Sequence, residues 1–141
     1  MKLADVLQSK GPEVHTIRSD ASLQDVVQLL VQHNCGSLLV VDNGELSGII
    51  TERDILQAAD VAQRPLVSCL VRDHLSANLL VGKPDDTVAD ALGWMTEHRI
   101  RHLPIVRQEE LVGIVSIGDL VKAQHDRLSM ENHYLKNYIQ G

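Results

Sequence analysis

Phenylalanine is absent from this 141-residue chain, and Trp94, Tyr134 and Tyr138 are its only aromatic residues. Proteins that hold single-stranded nucleic acid stack bases on aromatic platforms inside a basic groove. With three rings and a formal net charge of −6, the chain lacks both requirements, so nucleic acid is not an expected partner. No apolar run approaches the roughly 18 residues of a membrane span. The opening stretch MKLADVLQSK places Asp5 among its apolar residues and does not read as a secretory signal. Cysteine is scarce too. Cys35 and Cys69 form no close pair, which excludes a disulfide framework and suits a reducing compartment. A cytoplasmic location away from membranes is the expectation.

Catalytic signatures are missing as well. Seven histidines are present, but they form no H-E-x-x-H and no Cys/His cluster with zinc spacing, so the sequence requires no metal. His33 and His98 fall near helix ends, where a cationic or polar ring suits the terminal carbonyls. The stretch VGKPDD lacks the upstream glycine of a phosphate-binding loop and carries Pro84 where a hydroxyl residue belongs. Asp85 and Asp86 read as helix-start carboxylates. No G-x-G-x-x-G and no Ser-His-Asp arrangement occurs. An enzyme is not expected.

What the chain does have is a repeat. Shifted by 65 residues, 20–56 aligns with 85–121 without a gap. Identical pairs include Asp25/Asp90, His33/His98, Leu38/Leu103, Gly48/Gly113 and Asp54/Asp119. Each copy places apolar residues at helical spacing: Leu23, Val26, Val27, Leu30 and Val31 in one, Val88, Ala91, Leu92 and Met95 in the other. Ser19 or Asp20 is positioned to cap the first of these helices. Two β-rich runs then flank Asn43-Gly44, a hairpin signal. The second copy has a loop of equal length without glycine, which points to a different turn type. A short strand is expected before each unit, near Val14–Ile17 and Leu79–Gly82. The segments LADVL (3–7) and VRDHL (71–75) also match, at an offset of 68. The unit is therefore β-α-β-β-α, twice, and each half is small enough to need the other.

GIITERD (48–54) and GIVSIGD (113–119) share one frame: glycine, two apolar residues, a hydroxyl, and aspartate three places later. [ST]-x-x-[DE] is a helix capping box. The same geometry also suits a ligand. A helix N-terminus attracts phosphate, and an ionised carboxylate one turn in accepts hydrogen bonds from the vicinal hydroxyls of a ribose. Gly48 and Gly113 would let a ligand approach the strand end.

This duplicated pattern, with RIRHLPIV ahead of the second hairpin, resembles the tandem CBS domain, or Bateman module, over roughly residues 3–123. The resemblance implies an α+β fold of two β-α-β-β-α repeats packed as a pseudo-two-fold pair. It implies adenine nucleotides (AMP, ADP, ATP or NAD) as regulatory ligands, with S-adenosylmethionine a further candidate. Thr51 and Asp54 would serve one cleft, Ser116 and Asp119 the other. Family members often bind phosphate through basic residues just before LPIV, positions held here by Arg101 and His102. Arg53 is a further candidate. The second cleft, with the extra basic residues, is expected to bind more tightly, and His102 to pair with phosphate below roughly pH 6.5. The resemblance also implies a homodimer acting on a protein target that the sequence does not identify.

The repeats read as residues 1–65 and 66–124, followed by a helical extension over 125–141. In that tail Leu128, Leu135 and Ile139 recur at heptad-like spacing beside Tyr134 and Tyr138. It could pack on its own core, on a second copy or on a partner. The alternative function is accordingly an interaction module with degenerate clefts that works through this helix.

Overall fold

A computed structural model describes residues 1–11 and 13–140, with side-chain environments as far as Lys136. Pro12 of the inter-repeat linker, and the side chains of Tyr138 and Ile139 in the heptad-like tail, lie outside the described residues. The chain runs α1 (Leu3–Lys10), β1 (Thr16–Ile17), α2 (Leu23–His33), β2 (Ser37–Asp42), β3 (Glu45–Thr51), α3 (Glu52–Val61), α4 (Val88–Glu97), β4 (His102–Arg107), β5 (Glu110–Ser116) and α5 (Ile117–Gln140). Short 3-10 turns at Leu66–Ser68 and Val71–Asp73 follow α3. The fold is α+β, as the duplicated pattern implied, and α5 carries the C-terminal extension without a break.

Two compact units result, and they interleave along the chain. One holds Glu13–Leu80 with Gln108–Leu111; the other holds Met1–Pro12, Val81–Arg107 and Val112–Gly141. The leading segment LADVL therefore packs with the second repeat, and VRDHL with the first.

In the first-repeat unit, β1 runs parallel to β2 with Ile17 opposite Val40, and β2 pairs antiparallel with β3. Asn43 and Gly44 both take positive φ, the two-residue hairpin turn that Asn-Gly favours. Ser22, rather than Ser19 or Asp20, caps α2: its Oγ accepts the Asp25 N–H at 3.1 Å, and Asp25 accepts the Ser22 N–H at 3.3 Å. Ser19 instead donates its N–H to Asp42 at 3.1 Å, and Asp20 pairs with Arg18. Leu23, Val26 and Leu30 bury their side chains against Leu38, Val40, Ile50 and Ile55. Val31 had the spacing to join them but is 76% exposed.

The second-repeat unit repeats this plan with substituted volumes. Val88, Ala91, Met95, Leu103, Ile105, Val115 and Leu120 are buried at the positions 65 residues beyond Leu23, Val26, Leu30, Leu38, Val40, Ile50 and Ile55. Thr87 caps α4 by accepting the Asp90 N–H at 3.1 Å. The expected strand at Leu79–Gly82 reduces to one parallel bridge, Gly82 to Ile105, in the register that Ile17 and Val40 use. The β4–β5 turn was expected to differ for want of glycine, yet Gln108 and Glu109 both adopt positive φ. Matched strand ends impose the same turn, although such backbone costs a non-glycine residue roughly 1–2 kcal/mol.

Gly48 and Gly113 do not open the strands to a ligand. Both are buried, and the chain itself takes the vacant space. A Cβ on Gly48 would run into the Ser76 carbonyl and lie 2.7 Å from Leu75 Cδ1. Ile49 and Ser76 exchange backbone hydrogen bonds there, at 3.0 and 2.9 Å. A Cβ on Gly113 would meet Leu7 Cδ2 at 2.7 Å. Leu7 and Leu75 are equivalent residues of the two leading segments.

The two obstacles differ in stiffness. The Ser76 carbonyl is fixed by its own hydrogen bonds, whereas the end of Leu7 can rotate away. Gly48→Ala is therefore expected to lose about 1–3 kcal/mol of unfolding free energy, the usual cost of overpacking a filled core. Gly113→Ala should lose distinctly less. Urea denaturation of both variants checks the order, and equal losses would contradict it.

Candidate functional site

Each candidate site begins where a strand becomes a helix. β3 ends at Thr51 in extended backbone, and Thr51 is also the N-cap of α3. Its Oγ1 accepts the Asp54 N–H at 3.2 Å, while Asp54 Oδ2 accepts the Thr51 N–H at 2.9 Å and the Thr51 hydroxyl at 3.0 Å. In the second repeat, Ser116 Oγ accepts the Asp119 N–H at 3.0 Å, and Asp119 Oδ2 accepts the Ser116 N–H at 2.9 Å. The predicted pairs are thus brought together in both repeats as reciprocal capping boxes.

Helix-start donors are partly consumed. The Glu52 N–H goes to the Gly36 carbonyl at 3.0 Å, and the Ile117 N–H to the Arg101 carbonyl at 2.9 Å. With the capping bonds, two of the first three helical amides are taken in each repeat. What stays open lies on the carboxylates. Every hydrogen bond to Asp54 and Asp119 lands on Oδ2, so Oδ1 of each accepts none among the described residues.

The repeats part company over charge. The Lys10 ammonium, at the last residue of α1, donates to Asp119 Oδ2 at 2.6 Å and to the Ile114 carbonyl at 2.9 Å. Both side chains of the pair are about one-third exposed, at 30% and 29%. Burial pushes the Asp119 carboxyl up, but the Lys10 hydrogen bond, the Ser116 N–H and the Lys10 charge together hold it below its usual value. His102 feels the same group. Partial burial, then the Lys10 charge, lower its pKa; Asp119 pulls it up and Arg101 adds a further push down. The imidazolium expected below roughly pH 6.5 therefore forms only at lower pH, because a nearby ammonium and a partly dry ring both disfavour it.

The remaining candidates are solvent-exposed. Arg101 is exposed beside His102, and Arg53 is exposed on the first turn of α3. Neither forms an ion pair among the described residues. Asp54 has no cationic partner there either.

Two cavities of about 480 Å³ flank these elements, one in each unit. In the second-repeat unit, Lys10 and Asp119 line it with Asp5, Ser9, Lys122 and Asp126. In the first-repeat unit, an apolar cavity is lined by Val27, Leu30, Val31, Cys35, Ile55 and Leu56, with Asn34 and Glu52 at its polar side. Thr51, Arg53 and Asp54 do not line it. No cluster of three or more metal-ligating side chains occurs among the described residues, and no helix there is long and apolar enough to cross a membrane. Cys35 and Cys69 are free thiols, half-buried and buried.

Lys10 was not among the sequence candidates. The only sequence signal for it was indirect: LADVL matches VRDHL, so its segment had to pack somewhere equivalent. The stacking of His15 on His33, with ring centroids 3.9 Å apart and planes 17° off parallel, was also missed. It joins the end of α2 to the residue before β1.

Comparison with known proteins agrees with this geometry. The CBS domain family model matches residues 4–69 and again 71–126. The CBS domain-containing protein CBSX3, mitochondrial, of Arabidopsis thaliana is 38% identical over 148 residues, covering 99% of this chain and 72% of that protein. The crystal structure of the CBS-domain containing protein ATU1752 from Agrobacterium tumefaciens superposes with a TM-score of 0.75 at 32% identity, covering 88% of this chain and 99% of that one. The CBS domain pair of protein MJ0100, solved with 5-methylthioadenosine and S-adenosyl-L-methionine, gives a TM-score of 0.73 at 25% identity, covering 90% and 98%. Two matched copies in register, each ending its hairpin in a hydroxyl–carboxylate cap, make this chain a member of the tandem CBS domain family.

Proposed function

We propose that the chain is a non-catalytic regulatory module that binds adenine-containing ligands (AMP, ADP, ATP or NAD) and signals by a change of conformation or assembly. One observation carries the reading. In both repeats the capping aspartate spends a single oxygen on its helix and leaves the other free for a ribose hydroxyl. The adenosine compounds bound to the related MJ0100 pair support the ligand class. The Ser116/Asp119 site is the tighter one in this proposal, because the Lys10 ammonium stands on Asp119 there and Arg101 and His102 stand at the start of the same hairpin. Arg–phosphate pairing would be charge-assisted. Thr51, Asp54 and Arg53 form the weaker site. A ligand that prefers one arrangement of the chain shifts the population by its differential affinity.

A second reading has its own observation. Beyond Ala123, α5 exposes Leu128, Met130, Tyr134 and Leu135. In an interaction module, that face would meet a second copy or a protein target, and the ligand sites would be vestigial.

A thermal-shift panel with AMP, ADP, ATP, NAD and S-adenosylmethionine separates the two. Ligand at about 100 times its Kd stabilises the fold by roughly 2.7 kcal/mol, a rise of several degrees in Tm. At least one ligand should give that rise. Asp119→Ala should remove most of it and Asp54→Ala less, each compared with its own ligand-free Tm. No response to any of the five would leave the interaction module.

His102 generates a pH prediction. A histidine whose folded pKa lies below its unfolded value of about 6.5 binds fewer protons folded than unfolded. Stability then falls as pH drops from 6.5 toward the folded value. Asp119 acts in the same direction only further down, since its stabilisation is lost as pH falls through a value below the usual 3.8. His102→Asn should therefore flatten the decline of Tm with acidity between about pH 6.5 and 5, and an unchanged profile would reject the assignment.

A further inference from the structure

We infer that Lys10 is a phosphate-conditional latch: its ammonium holds Asp119 when no ligand is present and moves to a ligand phosphate, so that this site takes a nucleotide in preference to its nucleoside. The inference rests on the nucleotide reading above and adds the residue that makes the site discriminate.

Position is the first argument. Lys10 Nζ lies 2.6 Å from Asp119 Oδ2 and 2.9 Å from the Ile114 carbonyl, so it sits on the carboxylate assigned to the ribose. Both Lys10 and Asp119 line the cavity of about 480 Å³, a volume within the range of small-molecule sites. The ammonium therefore faces the space a ligand would enter.

Charge is the second. A ribose brings neutral hydroxyls. They can hydrogen-bond to the free Oδ1 of Asp119, but they offer the Lys10 ammonium no anion to move to. Stranding a partly buried ammonium is costly. A phosphate supplies a new anion, and the four-carbon stem of lysine lets the head swing to it. Lys122 lines the same cavity and adds positive charge; Asp5 and Asp126 add negative charge, with Asp5 already accepting the Lys2 N–H at 3.0 Å.

The other repeat supplies the third. There the segment after Leu75 does not continue as a helix, and Ser76 bonds back to Ile49 instead. Asp54 has no ion-pair partner among the described residues. The capping geometry is common to both sites and the latch belongs to one.

Isothermal titration of the full chain with AMP and with adenosine tests this, using wild type, Lys10→Met and Lys10→Arg, all in an Asp54→Ala background so that one site reports. With Lys10 present, AMP should bind at least tenfold more tightly than adenosine. Lys10→Met should cut that ratio about fivefold or more, chiefly by weakening AMP, while Lys10→Arg keeps most of the preference. Circular dichroism confirms that each variant is folded, and Lys10→Gln replaces Lys10→Met if that one is not. An AMP-to-adenosine ratio that survives loss of the lysine overturns the latch and leaves nucleotide binding intact. Failure of the lysine-containing protein to bind either compound overturns the nucleotide reading and the latch together.

Discussion

A carboxylate has two oxygens, and in both repeats the helix uses one. Asp54 and Asp119 each anchor a strand-to-helix junction through Oδ2, with the reciprocal bond from Thr51 or Ser116 completing the cap. Such a cap contributes on the order of 1 kcal/mol to a helix, which explains the residue pair without any ligand. Yet the cap also fixes where the second oxygen points. Structural and recognition roles are thus not rivals here. One side chain can carry both, because the helix uses only one of its two acceptors and the proposed ribose contact takes the other.

That arrangement needs the hairpin ahead of it to be held firmly, and the leading segments do this. Leu75 and Ser76 press on Gly48, and Leu7 presses on Gly113, so each hairpin is covered by the same kind of element. The glycines serve chain-to-chain approach. The consequence for electrostatics is direct. In the second-repeat unit the end of the covering helix lands near the acid, and this is how Lys10 reaches Asp119 across 109 positions of sequence.

Local features were legible from sequence because their causes are local. The capping boxes, the Asn43-Gly44 turn and the helical faces through Leu23, Val26, Leu30 and Met95 follow from spacing and residue type over a few positions. The rest was not legible, for physical reasons that differ by residue. Gln108 and Glu109 take a glycine-like turn because paired strands dictate the backbone at their ends. The strand at Gly82 shrinks to one bridge, where β1 keeps two residues in its ladder. Gly48 and Gly113 announced a missing side chain but not what fills the gap. Val31 kept the helical period and yet faces outward. Lys10 was invisible because charge pairing over that separation leaves no periodic trace. Of the site, the hydroxyls and acids could be read, and the cation that distinguishes one acid from the other could not.

Duplication places the same acid in both sites, so any difference in what they recognise must come from residues outside the capping frame. The frame itself cannot drift far, since losing Asp54 or Asp119 costs a helix start and, in the proposed function, a ligand contact as well. The C-terminal end of α1 carries no such burden. Lys10 could be exchanged with little effect on the core, because its stem lies about one-third exposed at a helix end. The first repeat's site, where Asp54 has no ion-pair partner among the described residues, shows the alternative already in use within the same chain. In the proposed latch, selectivity resides in a residue outside the buried core, and that residue belongs by sequence to the opposite repeat. A change in the first repeat's leading segment alters the site built by the second repeat and leaves the first repeat's own acid untouched. The crossed packing of the leading segments thus separates what each repeat must keep for stability from what it can vary for recognition.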